Sequence, residues 1–202
     1  MLRAGRFADA RGHFEQAQKI QPNHPGIRFN LGLAQMKTGQ IAEAIGSFQQ
    51  ALRIKPDMPE AHYNLGVCLC AQGKPGEGAA QWRQAIQLRP DNIVALNDTA
   101  WLLATCPDAS VRNGKEAVEL ASKSVKQSGG KAPELLDTLA VAYAEAGQFP
   151  DALQTARRAA ELADGQNKPA LAAEIRSRIP LYESAQAYRQ GPPRPATRPA
   201  GP

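Results

Sequence analysis

Apolar and small side chains along most of this chain are interrupted every few residues by Gln, Arg, Asp or Gly, a rhythm of one-sided helices rather than of strands or membrane spans. The rhythm itself repeats. Ala10-x3-Phe14-x2-Ala17-x4-Pro22 returns 34 residues later as Ala44-x3-Phe48-x2-Ala51-x4-Pro56, and after another 34 as Gly78-x3-Trp82-x2-Ala85-x4-Pro90. Leu31-Gly32 and Leu65-Gly66 precede the second and third copies, and Gly39 and Gly73 keep the same spacing. Each type has a mechanical reason. Gly32, Gly66, Ala44, Ala51 and Ala85 let two helices approach closely, and Phe14, Phe48 and Trp82 fill the space between neighbouring pairs. Pro25, Pro59 and Pro133 suit a first helical position, where the missing N–H costs nothing, and Gly5, Gly39, Gly73 and Gly147 mark the turn inside each pair.

These residues resemble the tetratricopeptide repeat, a 34-residue helix-turn-helix unit. The resemblance covers residues 1 to about 165 and implies an all-α fold, a right-handed α-solenoid of stacked antiparallel helix pairs. Residues 1–24 form a partial repeat, mainly its second helix, and 25–58 and 59–92 form full repeats. Residues 93–130 form a repeat whose second helix, with Ala117 and Ala121, comes five residues late, so the segment 106–114 absorbs an insertion. A further repeat spans 131–166, and 167–189 is expected to cap the stack with a helix reaching about residue 188, striped by Leu171, Ile175 and Ile179 and kinked or split at Pro180. The last 13 residues, 190–202, hold five prolines and two arginines and are expected to be a disordered tail, with a weak PxxP match at Pro192-Pro193-Arg194-Pro195. The half-repeat at the start favours a truncated or fragmentary chain. The stretch Ala100-Trp101-Leu102-Leu103-Ala104-Thr105-Cys106-Pro107-Asp108, with Leu136-Asp137-Thr138-Leu139-Ala140 after it, is similar to the closing repeats of large bacterial tetratricopeptide proteins, some carrying a glycosyltransferase-like membrane part.

Composition narrows the chemistry. Thirty-six alanines against five Phe, four Tyr and two Trp disfavour a sandwich or barrel. The net charge of +5 forms no basic stripe: residues 1–92 carry 11 Lys and Arg against 7 Asp and Glu, and the remainder 13 against 12, so nucleic acid is not an expected partner. There is no apolar run of membrane-spanning length and no secretory leader, which places the chain in the cytoplasm. Three cysteines suit a reducing compartment; Cys68 and Cys70 point about 200° apart on one helix, so they read as packing residues rather than metal ligands. Cys106 has no base beside it in sequence, and His13, His24 and His62 have no reason to converge. Neither an enzyme constellation nor a cofactor site is expected.

What repeats of this kind offer is a concave surface lined by the first helix of each pair. Helical periodicity places on it Phe29, Asn30, Leu33, Met36 and Lys37; Tyr63, Asn64, Val67 and Cys70; Asn97, Asp98, Trp101 and Thr105; and Asp137, Thr138, Val141 and Glu145. Phe29, Tyr63 and Trp101 look surplus to packing within a repeat and so available to a ligand. Asn30 and Asn64 share one register, and amides can donate and accept along an extended backbone. The repeats of the enzyme that attaches N-acetylglucosamine to Ser and Thr look similar, with an asparagine ladder there that holds substrate polypeptide; the resemblance carries that role to Asn30 and Asn64 only, since Asp98 and Thr138 replace the amide later. The carboxylate clamp of chaperone-binding relatives needs Lys and Asn where Phe29 and Leu33, then Tyr63 and Val67, stand, and is not present. The expected function is a non-catalytic scaffold that binds an extended segment of another protein. The alternative is the C-terminal part of a larger glycosyltransferase-like enzyme, presenting substrate or regulating it.

Overall fold

The computed structural model describes residues 7–189, which form helices and turns with no strand. The expectations placed on Gly5, on the proline-rich tail 190–202 and on its PxxP match lie outside the described residues. The fold is an all-α solenoid of helix pairs, and the chain divides into an N-terminal half, Met1–Pro90, and a C-terminal half, Asp91–Pro202.

In the N-terminal half, α1 (Phe7–Ile20) is followed by the pairs α2 (Pro25–Lys37) with α3 (Ile41–Ile54) and α4 (Pro59–Ala71) with α5 (Pro75–Leu88). Pro25, Pro59 and Pro75 all stand in the first helical turn, where their missing N–H leaves no orphan. Each pair is closed by one device. The chain turns through Gly39 (φ 80°) and Gly73 (φ 78°), and the following amide reaches back across the helix end: Gln40 N donates to Gln35 O at 2.9 Å, and Lys74 N to Leu69 O at 2.9 Å. This is the glycine-capped ending that satisfies the last carbonyls of a helix.

Small residues then set how near the helices lie. A Cβ placed on Gly32 would sit 2.7 Å from the Phe48 ring, and one on Gly66 would sit 2.5 Å from the Trp82 indole and 2.9 Å from the Gly78 carbonyl. A Cβ on Gly78 would strike the Cys70 sulfur. Phe48 and Trp82 are thereby buried, with Ala44, Leu65, Cys68 and Leu69 around Phe48. Trp82 also satisfies its indole N–H, which donates to the Tyr63 carbonyl at 2.9 Å.

In the C-terminal half, α6 (Ile93–Thr105), α8 (Pro133–Glu145) and α10 (Pro169–Glu183) form one layer, with α7 (Gly114–Gln127) and α9 (Phe149–Gly165) against it. The core is mostly alanine: Ala100, Ala104, Ala117, Ala121, Ala140, Ala142, Ala152, Ala156, Ala159 and Ala163 are all fully buried. The inserted segment before α7 is tied down by Arg112, whose guanidinium donates to the carbonyls of Cys106 (2.9 Å) and Pro107 (3.0 Å) and to Glu145 Oε1 (3.0 Å). Gly114, which starts α7, lies so close to α8 that a Cβ would be 2.7 Å from the Ala146 amide.

The last helix departs from expectation. It runs through Pro180 as one element and ends at Glu183, short of residue 188. Pro180 and Arg176, whose carbonyl loses its amide partner, are both exposed, so water can replace that one bond near the helix end. Meanwhile Ala172, Ile175, Arg178 and Tyr182 stay buried along one stripe. The chain then reverses at Ala185, which takes a left-handed φ of 52°, with Gln186 N donating to Leu181 O at 2.8 Å. Asn167 ends α9 in the same way with φ 56°.

Two substitutions of opposite sign test this account. Gly66→Ala is expected to destabilise the fold by about 1–3 kcal/mol, because backbone and a buried indole must give way. Gly46→Ala, inside α3 with nothing within 4 Å of the added carbon, is expected to stabilise by about 0.5–1 kcal/mol. Urea unfolding followed by circular dichroism measures both.

Candidate functional site

In the N-terminal half the expected stripe lies on α2 and α4. Asn30 and Asn64 are half-buried at equivalent positions of the two helices, and Leu33 and Val67 are half-buried one turn on. The amides differ in use: Asn64 Nδ2 donates to its own helix at Glu60 O (2.7 Å), leaving its oxygen as an acceptor, whereas nothing among the described residues pairs with the Asn30 amide. Lys37 is exposed at the end of α2.

The aromatic residues of this half are not surplus. Phe29 packs on Phe48 with ring centroids 5.8 Å apart, and Tyr63 stacks on Trp82 at 6.1 Å and 23°. Both lean from the first helix of a pair onto its second, joined in the Phe48 core by Leu33 and Met36. Cys70 is likewise buried, its sulfur filling the space above Gly78. The sequence register was right about the helix and silent about the lean, because a side chain at the stripe's edge serves whichever neighbour is nearer. An open depression of about 460 Å³ between α3, α4 and α5 is lined by Gln49, Leu52, Arg53, His62, Leu65 and Gln81, none of them in the expected stripe.

The C-terminal half was expected to leave its stripe open, and it does not. Trp101 of α6 is half-buried with Tyr188 tilted against it at 6.3 Å between centroids. Arg178 of α10 lies beside both rings, 5.3 Å from the Trp101 centroid and 4.7 Å from that of Tyr188. Arg189 extends the cover: its guanidinium is 2.6 Å from Glu145 Oε2 and 3.5 Å from the Ala104 carbonyl. The hollow is filled by the chain's own residues because the reversal at Ala185 returns them to the apolar and charged face of α6, α8 and α10. Thr105, Thr138 and Val141 are buried, and Asn97 and Asp98 are half-buried, with Asn97 Oδ1 enclosed without a hydrogen-bond partner.

Beneath Trp101 lies a buried ionic cluster. Both Asp137 oxygens accept from Arg178 Nη1 at 2.7 Å, and Glu174 Oε1 accepts from Nη2 at 2.7 Å. Arg178 is 2% exposed and Asp137 6%. Burial alone would weaken the guanidinium's hold on its proton; the Asp137 charge and hydrogen bonds outweigh it and hold the pKa above its ordinary value. Burial, with the Asp137 charge added, raises the Tyr182 phenol, whose hydroxyl is enclosed without a partner.

Sequence reasoning missed Arg178, Tyr188 and Arg189. A signal existed for the first: the buried stripe of α10 is Ala172, Ile175, Arg178 and Tyr182, so an arginine occupies an apolar register, and Asp137 stands at a stripe position of α8 as its complement. Tyr188 and Arg189 follow no periodicity.

The other candidates for chemistry do not converge. His24 caps α2, its Nδ1 accepting from Ile27 N at 3.2 Å, while His62 is held between Gln81 (2.8 Å) and the Pro56 carbonyl (3.0 Å). Among the described residues no three His, Cys, Asp or Glu gather as a metal site, and no helix is long and apolar enough to cross a membrane. Cys68, Cys70 and Cys106 are buried and free, and burial pushes the Cys68 thiol up to about 11.

Two predictions follow from these environments. Asp137→Ala leaves the buried guanidinium with Glu174 alone and is expected to cost about 3 kcal/mol in thermal or urea unfolding, with the double variant Asp137→Leu/Arg178→Met recovering much of the loss. At pH 8 the folded protein is expected to give almost no Cys68 reaction with Ellman's reagent, and full reaction after unfolding in guanidinium.

Comparison with known proteins agrees with this architecture. The profile described as "Tetratricopeptide repeat" matches residues 2–59 and 33–93, and a second profile of the same description matches 133–158. No curated protein sequence matches. The chain is similar in fold to the crystal structure of MamA (TM-score 0.71, 20% identity, covering 82% of this chain and 93% of that one). It is similar also to that of YrrB, described as a TPR protein with an unusual peptide-binding site (TM-score 0.71, 18% identity, 85% and 84%). A third likeness, to an O-GlcNAc transferase mutant of Thermobaculum terrenum, has TM-score 0.56 and 23% identity, covering 62% of this chain and 24% of that one. With the 34-residue period, the glycine-capped helix pairs and the matched profiles in agreement, the chain belongs to the tetratricopeptide repeat family.

Proposed function

We propose that this chain is a non-catalytic scaffold that binds an extended segment of a partner protein along the first helices of its repeats. The observation that carries the reading is the pair Asn30 and Asn64, half-buried at one register on α2 and α4 with amide atoms left for an incoming backbone. An extended peptide offers alternating N–H and C=O groups, and a side-chain amide matches either without regard to sequence. Leu33 and Val67 supply apolar contact beside the amides, Phe29 and Tyr63 back them from their packed positions, and Lys37 adds a cation at the end of α2. Asn97, Asp98 and Trp101 stand on the corresponding helix of the C-terminal half, where Tyr188 and Arg189 cover the stripe. YrrB, similar in fold, is described as having a peptide-binding site, which supports a peptide as the ligand class.

The second reading makes the chain part of a larger glycosyltransferase-like enzyme. It draws on the amide register and on the likeness to the Thermobaculum terrenum transferase, which spans 24% of that chain and is a likeness of fold. Coding sequence continuing in frame upstream into a catalytic part supports it; an upstream stop codon with a ribosome site at Met1 removes it.

The amides give a cleaner test than the rings, because Phe29 and Tyr63 also hold the fold. Peptides selected from a random display library against the full chain are expected to lose about tenfold or more in affinity for Asn30→Ala/Asn64→Ala, measured by fluorescence anisotropy, with the melting temperature changed by less than about 2 °C. Unchanged affinity in that folded variant rejects the surface.

A further inference from the structure

The segment that covers Trp101 is built like a ligand. Ser184 to Arg189 is neither helix nor strand, and after the reversal at Ala185 it brings Tyr188 and Arg189 onto α6, α8 and α10. Its two terminal side chains find complementary places. Tyr188 lies against both Arg178 and Trp101, two rings and a cation in mutual contact, and Arg189 lies on Glu145 with the Ala104 carbonyl nearby. The receiving side chains are held from behind: Arg178 by Asp137 and Glu174, and Glu145 by Arg112. A cation and a carboxylate fixed in this way keep their geometry whether or not the segment is present, which is the preorganisation that a binding site needs.

We propose that this face is a recognition site for an extended peptide in which an aromatic residue is followed directly by arginine, and that Tyr188-Arg189 is its intramolecular occupant. The inference rests on the reading of the chain as a peptide-binding scaffold and adds to it the chemistry of a preferred partner and a competitor within the chain. The charges fit the assignment. Arg178 offers an aromatic ring a cationic face, Glu145 offers the next residue an anion, and Trp101 supplies the apolar wall. Reversal of the two residues would set arginine against the Arg178 guanidinium. Because the occupant is tethered by four residues beyond α10, its effective concentration is on the order of millimolar. A free peptide with an intrinsic dissociation constant of about 0.1 mM is therefore weakened roughly tenfold by the tether.

The probe is the fluorescein-labelled peptide Ser-Ala-Gln-Ala-Tyr-Arg-Gln, the sequence of residues 184–190, titrated with the full chain. Tyr188→Ala/Arg189→Ala empties the site and is expected to bind the probe about tenfold more tightly than the unaltered chain. In the emptied chain, Glu145→Gln is expected to lower probe affinity about tenfold, and a probe with its Tyr and Arg exchanged to lose binding. Acrylamide quenching of tryptophan fluorescence is expected to rise in the emptied chain and to fall back when the probe is added. Equal probe binding by emptied and unaltered chains overturns the proposal, as does absence of binding to an emptied chain that keeps its helical circular dichroism and melting temperature. Indifference of probe affinity to Glu145→Gln overturns it as well. If library peptides still depend on Asn30 and Asn64 while the emptied chain ignores the probe, the general peptide-binding reading survives and this site alone falls; loss of both dependences removes both.

Discussion

Close approach between the two helices of a pair is the constraint on which the rest of the N-terminal half depends. Gly32 under Phe48 and Gly66 under Trp82 leave no room for even one added carbon, so each large ring touches backbone on that side as well as the side chains around it. Dispersion attraction falls steeply with separation, and a ring this close to backbone gains contacts that a looser pair forfeits. The 34-residue period follows from this, because a small residue on one helix and a large one on the next must keep their offset in every copy.

The C-terminal half solves the same problem with different material. Alanine replaces the glycine–aromatic interlock through α6 to α9, and the last helix is anchored by charge as well as by apolar burial. Arg178, enclosed and bound to two carboxylates, lies where a solenoid would otherwise continue with an apolar residue. A buried ion pair of this kind contributes less net stability than well-packed hydrocarbon, but it is far more particular about position. It fixes the register of α10 on α8, and with it the place where the chain reverses.

Much of this architecture was legible in the sequence. The period, the proline starts and the glycine turns marked where helices begin and where each pair turns, and Pro25, Pro59 and Pro133 each stand in the first turn of a helix. Small-against-large packing was equally plain, since Gly and Ala recur opposite Phe and Trp. The stripe residues were harder. Periodicity places a side chain on a helix face but does not say which neighbour it leans toward, so Phe29 and Tyr63 were assigned to a ligand and are found on Phe48 and Trp82. The end of α10 was misjudged for another reason: the signal sought was Pro180, whereas the ending is made by Ala185 in a left-handed conformation that alanine seldom adopts. Tyr188 and Arg189 were invisible as contacts, since their partners on α6, α8 and α10 are distant in sequence and no repeat relates them.

Glu145 ties together two departures from the repeat. One carboxylate oxygen takes Arg112 from the inserted segment, and the other takes Arg189 from the segment after α10, while the side chain is only 12% exposed. Two cations drawing on one acid are not independent: as either loosens, the field left to the other strengthens. The loop between α6 and α7 is thereby coupled, through a single acid, to the hold on a stretch of chain more than seventy residues further on.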